Sequence, residues 1–398
     1  MIYLGPLYEK REEQRLLEQT SGGLSNASNT FQYNLLNGFL ENKIESLTVI
    51  NVLPVGIWPK NCQILRLQHR AWSLGGHRCL ELGSLNLPVF KQFQREKATK
   101  RVVEQLVRED KEVLIYSTYL PFLRAVRKLD PSVKVTLIVT DLPEYYDLGR
   151  TSRLKKLLRR LNNRLIDRAM ERVDRFVLLT EEMRGPLHVG ERPYIVVEGI
   201  TASSDLPAAV RKDPAVDKII FYAGSLHRQF GLPTLLEAFE QLERKDVQLW
   251  LCGGGDAEEE IRQLAERDPR VRFYGYVSSD RVAELRAQAD ILVNPRPNEG
   301  EYTKYSFPSK TMEYMLSGKP VVMYPLAGMP PEYAPHVHLV QESGARGLCR
   351  VLSSVLDERP EERAEFGQLA ARFVAEQKNP KVQAGKILEL LERQVRQK

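Results

Sequence analysis

A chain of 398 residues exceeds what one hydrophobic core normally organises, since single cores stop growing near ~250–300 residues, so two domains are expected. An apolar share of 42% beside a charged share of 28% excludes a disordered or fibrous chain, and no stretch approaches the ~20 uninterrupted apolar residues of a membrane-spanning helix. The net charge of +6 is uneven: residues 1–200 carry 31 Lys+Arg against 23 Asp+Glu, whereas residues 201–398 carry 27 against 29. The first half is thus built to approach something anionic.

The chain opens Met1-Ile2-Tyr3-Leu4-Gly5 without the basic stretch and apolar run of a secretion signal, and reads as a first strand. Further strands are expected at Leu47–Leu53, Val113–Tyr116, Val135–Val139, Arg175–Leu179 and Tyr194–Val197, with helices between them. Residues 200–217 carry Pro207 and Pro214 and no periodicity, as an interdomain linker does. Beyond it the rhythm is plain. Strands at Lys218–Ala223, Val247–Leu251, Val271–Tyr276, Ile291–Asn294 and Pro320–Tyr324 alternate with helices at Leu232–Leu242, Glu258–Arg267, Asp280–Gln288 and Ser309–Leu316. That alternation predicts parallel strands joined by crossovers, a doubly wound sheet. Pro360–Gln377 and Lys381–Arg396 read as helices broken at Asn379-Pro380, the second able to lean back on the first domain.

The four cysteines are scattered and the six histidines form no metal-binding pattern, so reduced thiols and no structural metal are expected. Residues 150–172 form a strongly basic helix candidate with Leu154, Leu157, Leu158, Leu161, Leu165 and Ala169 on one stripe. The stripe is expected to pack on the sheet, leaving the cations for an anionic membrane surface or for plain solvation. Nucleic acid is not expected as a partner, because the cations lack interleaved aromatics.

The segment from Asn294 to Val322 follows a strand and opens a helix, where a helix amino terminus offers its N–H groups to phosphate. Its core, Tyr305-Ser306-Phe307-Pro308-Ser309-Lys310-Thr311-Met312-Glu313-Tyr314, resembles the donor-binding signature of family-four, retaining GT-B glycosyltransferases, the glycosyl transferases group 1, of bacterial polysaccharide assembly. Tyr222-Ala223-Gly224-Ser225-Leu226 with Gly231, and Leu251-Cys252-Gly253-Gly254-Gly255, resemble that family's glycine turns in the same order. The resemblance implies that Glu313 holds the nucleotide ribose; otherwise Glu313 is a solvated helical carboxylate. It also exposes departures. Tyr305 stands where the family carries a second glutamate, leaving Glu299 or Glu301 as substitutes, and Ser225 and Phe230 stand where it carries arginine and lysine. Arg296 and Lys310 are the candidate replacements for meeting diphosphate charge, ahead of Arg228 and Lys304.

In the first half, Gly22 and Gly23 precede a helix over Asn29–Leu40 and resemble the family's first glycine loop, or form a capped turn. Asp141 ends the strand Val135–Val139 and its following Thr140, placed to orient or deprotonate an acceptor hydroxyl, or to cap a turn.

These readings together predict an α/β, GT-B architecture of two Rossmann-like doubly wound domains facing across a cleft, bounded as residues 1–200, a linker at 201–217, 218–378 and a closing helix at 379–398. The implied activity moves a sugar from a nucleotide-diphosphate sugar, a co-substrate rather than a cofactor, to a glycan or lipid-linked acceptor, with retention and without metal. A cytoplasmic protein, peripheral on the inner membrane face, follows. The rival is a catalytically silent GT-B scaffold subunit of a glycan-assembly complex.

Overall fold

The computed structural model describes residues 1–21, 24, 26–142, 153–202 and 218–393. Gly22, Gly23 and all but the first two residues of the expected linker lie outside the described residues. The chain divides into two compact units, one of Met1–Ile200 with Pro380–Lys398, the other of Thr201–Asn379.

In the first unit the elements run β1 (Ile2–Gly5), α1 (Glu13–Gln19), α2 (Asn26–Glu41), β2 (Thr48–Asn51), β3 (Arg66–Leu67), β4 (Arg70–Leu74), β5 (His77–Glu81), β6 (Ser84–Leu85), α3 (Phe90–Leu106), β7 (Glu112–Tyr116), α4 (Leu120–Val126), β8 (Lys134–Val139), α5 (Arg153–Met170), β9 (Arg175–Leu178) and β10 (Tyr194–Val196). The sheet order is β10-β9-β8-β7-β1-β2-β5-β4, parallel except where β4 returns antiparallel along β5. Strands such as Val113-Leu114-Ile115 and Val135-Thr136-Leu137-Ile138-Val139 are buried throughout, the continuous apolar signature of parallel strands covered on both faces.

The second unit holds β11 (Lys218–Ser225), α6 (Leu232–Glu240), β12 (Val247–Gly254), α7 (Glu258–Arg267), β13 (Val271–Gly275), α8 (Ser279–Gln288), β14 (Ile291–Asn294), α9 (Ser309–Leu316), β15 (Val321–Met323), β16 (His338–Leu339), α10 (Ala345–Asp357) and α11 (Pro360–Gln377). Its sheet, ordered β13-β12-β11-β14-β15-β16, is parallel throughout. One face packs on Leu235, Phe239, Ile261, Leu348 and Leu352, the other on Leu285, Met312, Met315, Tyr333 and Val374.

Two features were not foreseen and one expectation needs correcting. The short antiparallel ribbon β3–β6 has no counterpart in the sequence reading, because two-residue strands carry no periodicity. Pro308 is the N-cap of α9, with ψ at 115° holding it outside the helix. The expected apolar stripe of α5 does not pack as one: Ala169 is buried but Leu161 and Leu165 are exposed, while Ile166 and Met170, off that stripe, are the buried residues.

The helix α12 (Pro380–Arg393) lies on α2, burying Ala384, Ile387 and Leu390 beside Leu35, Leu36 and Phe39. Gly38 makes this approach possible, since a Cβ there would stand 2.1 Å from the Pro380 carbonyl oxygen. Asn42 strengthens the contact by donating to the Lys381 carbonyl at 2.8 Å. The buried Arg175 guanidinium ties the far end, donating to the Leu391 carbonyl at 2.8 Å and pairing with Glu112. Gly38→Ala is expected to lower stability by roughly 1–3 kcal/mol through overpacking. Gly385→Ala, in α12 with its nearest neighbour at 3.7 Å, should gain about 0.5–1 kcal/mol from helix propensity. Chemical denaturation of the two variants should move in opposite directions.

Candidate functional site

In the second unit β11 leads through β12 to β13 on one side, while β14 leads through β15 to β16 on the other. The order therefore reverses between β11 and β14, and in open parallel sheets ligands bind outside the carboxyl ends of the strands at such a point.

Backbone meets backbone here. A Cβ on Gly253, which has φ +133°, would fall 1.8 Å from the Gly224 carbonyl oxygen, and one on Gly231, at φ +84°, would fall 1.9 Å from that of Pro295. The loops after β11, β12 and β14 close up because no side chain separates them.

The helix α9 is pinned to the same edge. The Tyr314 hydroxyl accepts from the Ala223 amide at 2.9 Å and donates to its carbonyl at 3.1 Å, while Asn294 donates to Thr311 Oγ1 at 3.3 Å. Lys310 Nζ also donates to the Ala223 carbonyl, at 2.6 Å, and a Cβ on Gly224 would sit 2.6 Å from that nitrogen. Pro308 offers no side-chain cap to the first turn of α9. Burial pushes the Lys310 ammonium below the ordinary lysine range and Arg286 adds to this, while Glu313 opposes it. Desolvation likewise raises the neighbouring Cys252 thiol to about 11.

Arg296 is held between two rings, its guanidinium carbon 4.9 Å from the Tyr302 centroid and 5.6 Å from that of Phe230. One Nη donates to Ser306 Oγ at 2.8 Å, and Ser306 in turn donates to the Tyr302 carbonyl at 3.1 Å. The Arg296 Nε is buried with no hydrogen-bond partner among the described residues. A partly desolvated guanidinium with an unsatisfied N–H is poised for an anion.

The remaining expected residues divide. Glu313 is exposed, with a carboxylate oxygen 4.0 Å from the Arg286 guanidinium. Ser225 and Ser309 are exposed at the edge, and the Ser225 carbonyl accepts from the Tyr222 hydroxyl at 3.0 Å. Gly254 accepts from the Leu226 amide at 2.9 Å and keeps the first two loops in step. Phe307 is buried with its ring 4.7 Å from Tyr333, so its side chain anchors the loop from below. Tyr305 is half-buried at the end of a 3-10 turn over Glu301–Tyr305, and Glu299 and Glu301 are exposed. Arg228 is engaged by Glu260 at 2.6 Å. The sequence reading missed the roles of Tyr302 and Tyr314, whose only signal was an aromatic residue within the motif.

In the first unit, Ser28 donates to the Tyr116 hydroxyl at 3.3 Å, that hydroxyl lies 3.2 Å from Thr140 Oγ1, and Thr140 donates to Asp141 Oδ2 at 3.4 Å. These groups sit where β7 and β8 end, beside the reversal between β1 and β7. Asp141 is exposed, and desolvation raises its carboxyl above the usual range against the opposing Thr140 hydrogen bond. Among the described residues no group of three His, Cys, Asp or Glu is placed to hold a metal ion.

Gly224→Ala is expected to displace the flexible end of Lys310 and to crowd the buried Tyr222 hydroxyl, 3.0 Å from the new Cβ, lowering the melting temperature measurably by overpacking.

Residues 217–358 match the family model of the Glycosyl transferases group 1. No curated protein matches the chain. Among solved structures, it is similar to a sucrose-phosphate synthase (tll1590) from Thermosynechococcus elongatus, at 15% identity and TM-score 0.65 over 100% of this chain and 99% of that one. A glycosyltransferase from Rickettsia africae ESF-5 gives 13% identity and TM-score 0.64 over 100% and 99%. Alr3699/HepE of Anabaena, solved in complex with UDP, gives 14% and 0.63 over 98% and 99%. At these identities the likeness speaks to fold, and the fold is GT-B.

Proposed function

We propose that the protein transfers a sugar from a nucleotide-diphosphate sugar to a glycan or lipid-linked acceptor in cell-surface polysaccharide or glycolipid assembly, with retention of anomeric configuration. The observation that carries this reading is Lys310, at the start of α9, brought onto the Ala223 carbonyl and the Gly224 backbone at the strand-order reversal, with Arg296 held in the loop after β14 between Phe230 and Tyr302. As the bond from the anomeric carbon to diphosphate breaks, negative charge grows on the leaving oxygens and a bond forms to the acceptor oxygen, which loses its proton. Lys310, Arg296 and the first-turn amides meet that charge without needing a divalent ion. Glu313, beside Arg286, is the group for the ribose hydroxyls. Asp141, whose raised pKa suits proton exchange, is the group for the acceptor hydroxyl.

The missing family cations find their explanation in Phe230, which supplies one of the two rings that hold the Arg296 guanidinium. Tyr305, Ser225 and Phe230 equally motivate the rival reading of a silent scaffold subunit, and nucleotide release from candidate nucleotide sugars separates the two. Exposed Leu161 and Leu165, interleaved with Arg160, Arg164 and Arg168 on α5, support association with an anionic membrane.

Replacing Glu313 by Ala should weaken nucleotide-sugar binding by ten- to a hundredfold, about the cost of two lost charge-assisted hydrogen bonds; an unchanged calorimetric affinity contradicts the assignment. Because burial lowers the Lys310 pKa, the free site loses its proton below the ordinary lysine range. Nucleoside diphosphate affinity should therefore fall as pH rises into the alkaline range, and Lys310→Arg, which cannot deprotonate there, should flatten the fall.

A further inference from the structure

The helix α3 is inverted relative to a normal surface helix. Its cations Lys91 and Arg95 face inward, Lys91 Nζ donating to the Val55 carbonyl at 2.6 Å and Arg95 to that of Leu53 at 2.8 Å. Its apolar first turn faces outward: Val89, Phe90 and Phe93 are 79%, 60% and 64% exposed. Val89, at φ +63°, is a β-branched residue in a conformation such residues avoid, held by the Phe90 amide donating to the Pro88 carbonyl at 2.7 Å. Water does not favour an arrangement that spends buried cations and backbone strain to expose two phenylalanines.

One turn further along the same face, α3 and the ribbon β3–β6 enclose a groove of 570 Å³ lined by Arg66, His69, Ser84, Leu85, Lys97 and Arg101 among others, with no carboxylate in its wall. Arg66, Lys97 and Arg101 have no ion-pair partner among the described residues, and all three are exposed. Gln94 fixes the ribbon to the helix by accepting from the Leu85 amide at 2.7 Å. His69 is oriented by accepting from the Gly83 amide through Nδ1 at 3.2 Å. Ser84 is buried to 7% exposure, yet its Oγ has no hydrogen-bond partner among the described residues. Three unpaired cations and an orphaned hydroxyl suit a phosphate group. Helical spacing sets Phe90 over Gln94 and Phe93 over Lys97, so the apolar tip and the basic groove form one continuous surface.

We propose that this face docks on an anionic lipid bilayer, with a phospholipid phosphate in the groove and Val89, Phe90 and Phe93 entering the interfacial layer. The contact is separate from α5 and does not rest on the transferase reading, since its readout needs no donor or acceptor.

The test is co-sedimentation of the full chain with vesicles of one part phosphatidylglycerol to two parts phosphatidylcholine, and with phosphatidylcholine alone. Binding is expected to the mixed vesicles only. It should weaken at least about tenfold in Lys97→Glu/Arg101→Glu, as loss and reversal of two surface cations implies, and similarly in Phe90→Ser/Phe93→Ser. In Phe93→Trp the new indole emission should shift to the blue on vesicle addition, a gain of signal that a misfolded variant does not mimic. The proposal is overturned if the wild-type chain ignores anionic vesicles, or if binding is lost only on Arg160→Glu/Arg164→Glu in α5. It is also overturned if inorganic phosphate or glycerol phosphate saturates the groove while Phe90→Ser/Phe93→Ser leaves vesicle binding intact, because the ligand is then soluble. Calorimetric nucleotide binding, unchanged in the α3 variants, separates failure here from failure of the transferase reading.

Discussion

Everything at the candidate site depends on how closely three loops of the second unit approach one another. Gly253 against the Gly224 carbonyl and Gly231 against the Pro295 carbonyl leave no room for a single carbon atom. With the ends of β11, β12 and β14 drawn together in this way, Tyr314 and Lys310 can both reach the Ala223 carbonyl. A helix amino terminus that would otherwise meet water is thereby aimed at the end of β11. The positive charge follows from the backbone geometry rather than the reverse.

The same crowding accounts for which parts were legible in the sequence. Strand and helix limits in the second unit, such as Glu258–Arg267 and Ser309–Leu316, agree with the structure because apolar periodicity there is undiluted. The helix within the motif from Asn294 to Val322 was legible for the same reason. Periodicity says nothing about which aromatic ring underlies which cation, so the pairing of Phe230 and Tyr302 with Arg296 became visible only in three dimensions. In the first unit the ribbon β3–β6 is too short to leave a pattern. On α3, nothing in the sequence marks Lys91 and Arg95 as buried, and only the carbonyl groups of the preceding loop show why they turn to the interior.

Departures from a familiar motif are easily read one position at a time, and the structure shows why that misleads. Ser225 and Phe230 look like two lost cations. Phe230, however, is one wall of the slot that holds Arg296, and Ser306 completes the hold by accepting from the guanidinium. A cation from the loop after β14 thus stands near the place vacated in the loop after β11. Phe230 and the Arg296 guanidinium beside its ring belong to one arrangement and are best read together.

The return of α12 to α2 has a consequence for how the protein is made. The first unit needs Pro380 onward to cover Leu35, Leu36 and Phe39, yet the whole of Thr201–Asn379 is translated in between. At typical synthesis rates that interval lasts roughly ten to thirty seconds. Throughout it, a nascent Rossmann-like sheet sits outside the ribosome with an apolar helix face bare, while the contiguous second unit is free to fold first. The cover over α2 is therefore the last part of the first unit to become available, after the whole chain of the second unit has been made.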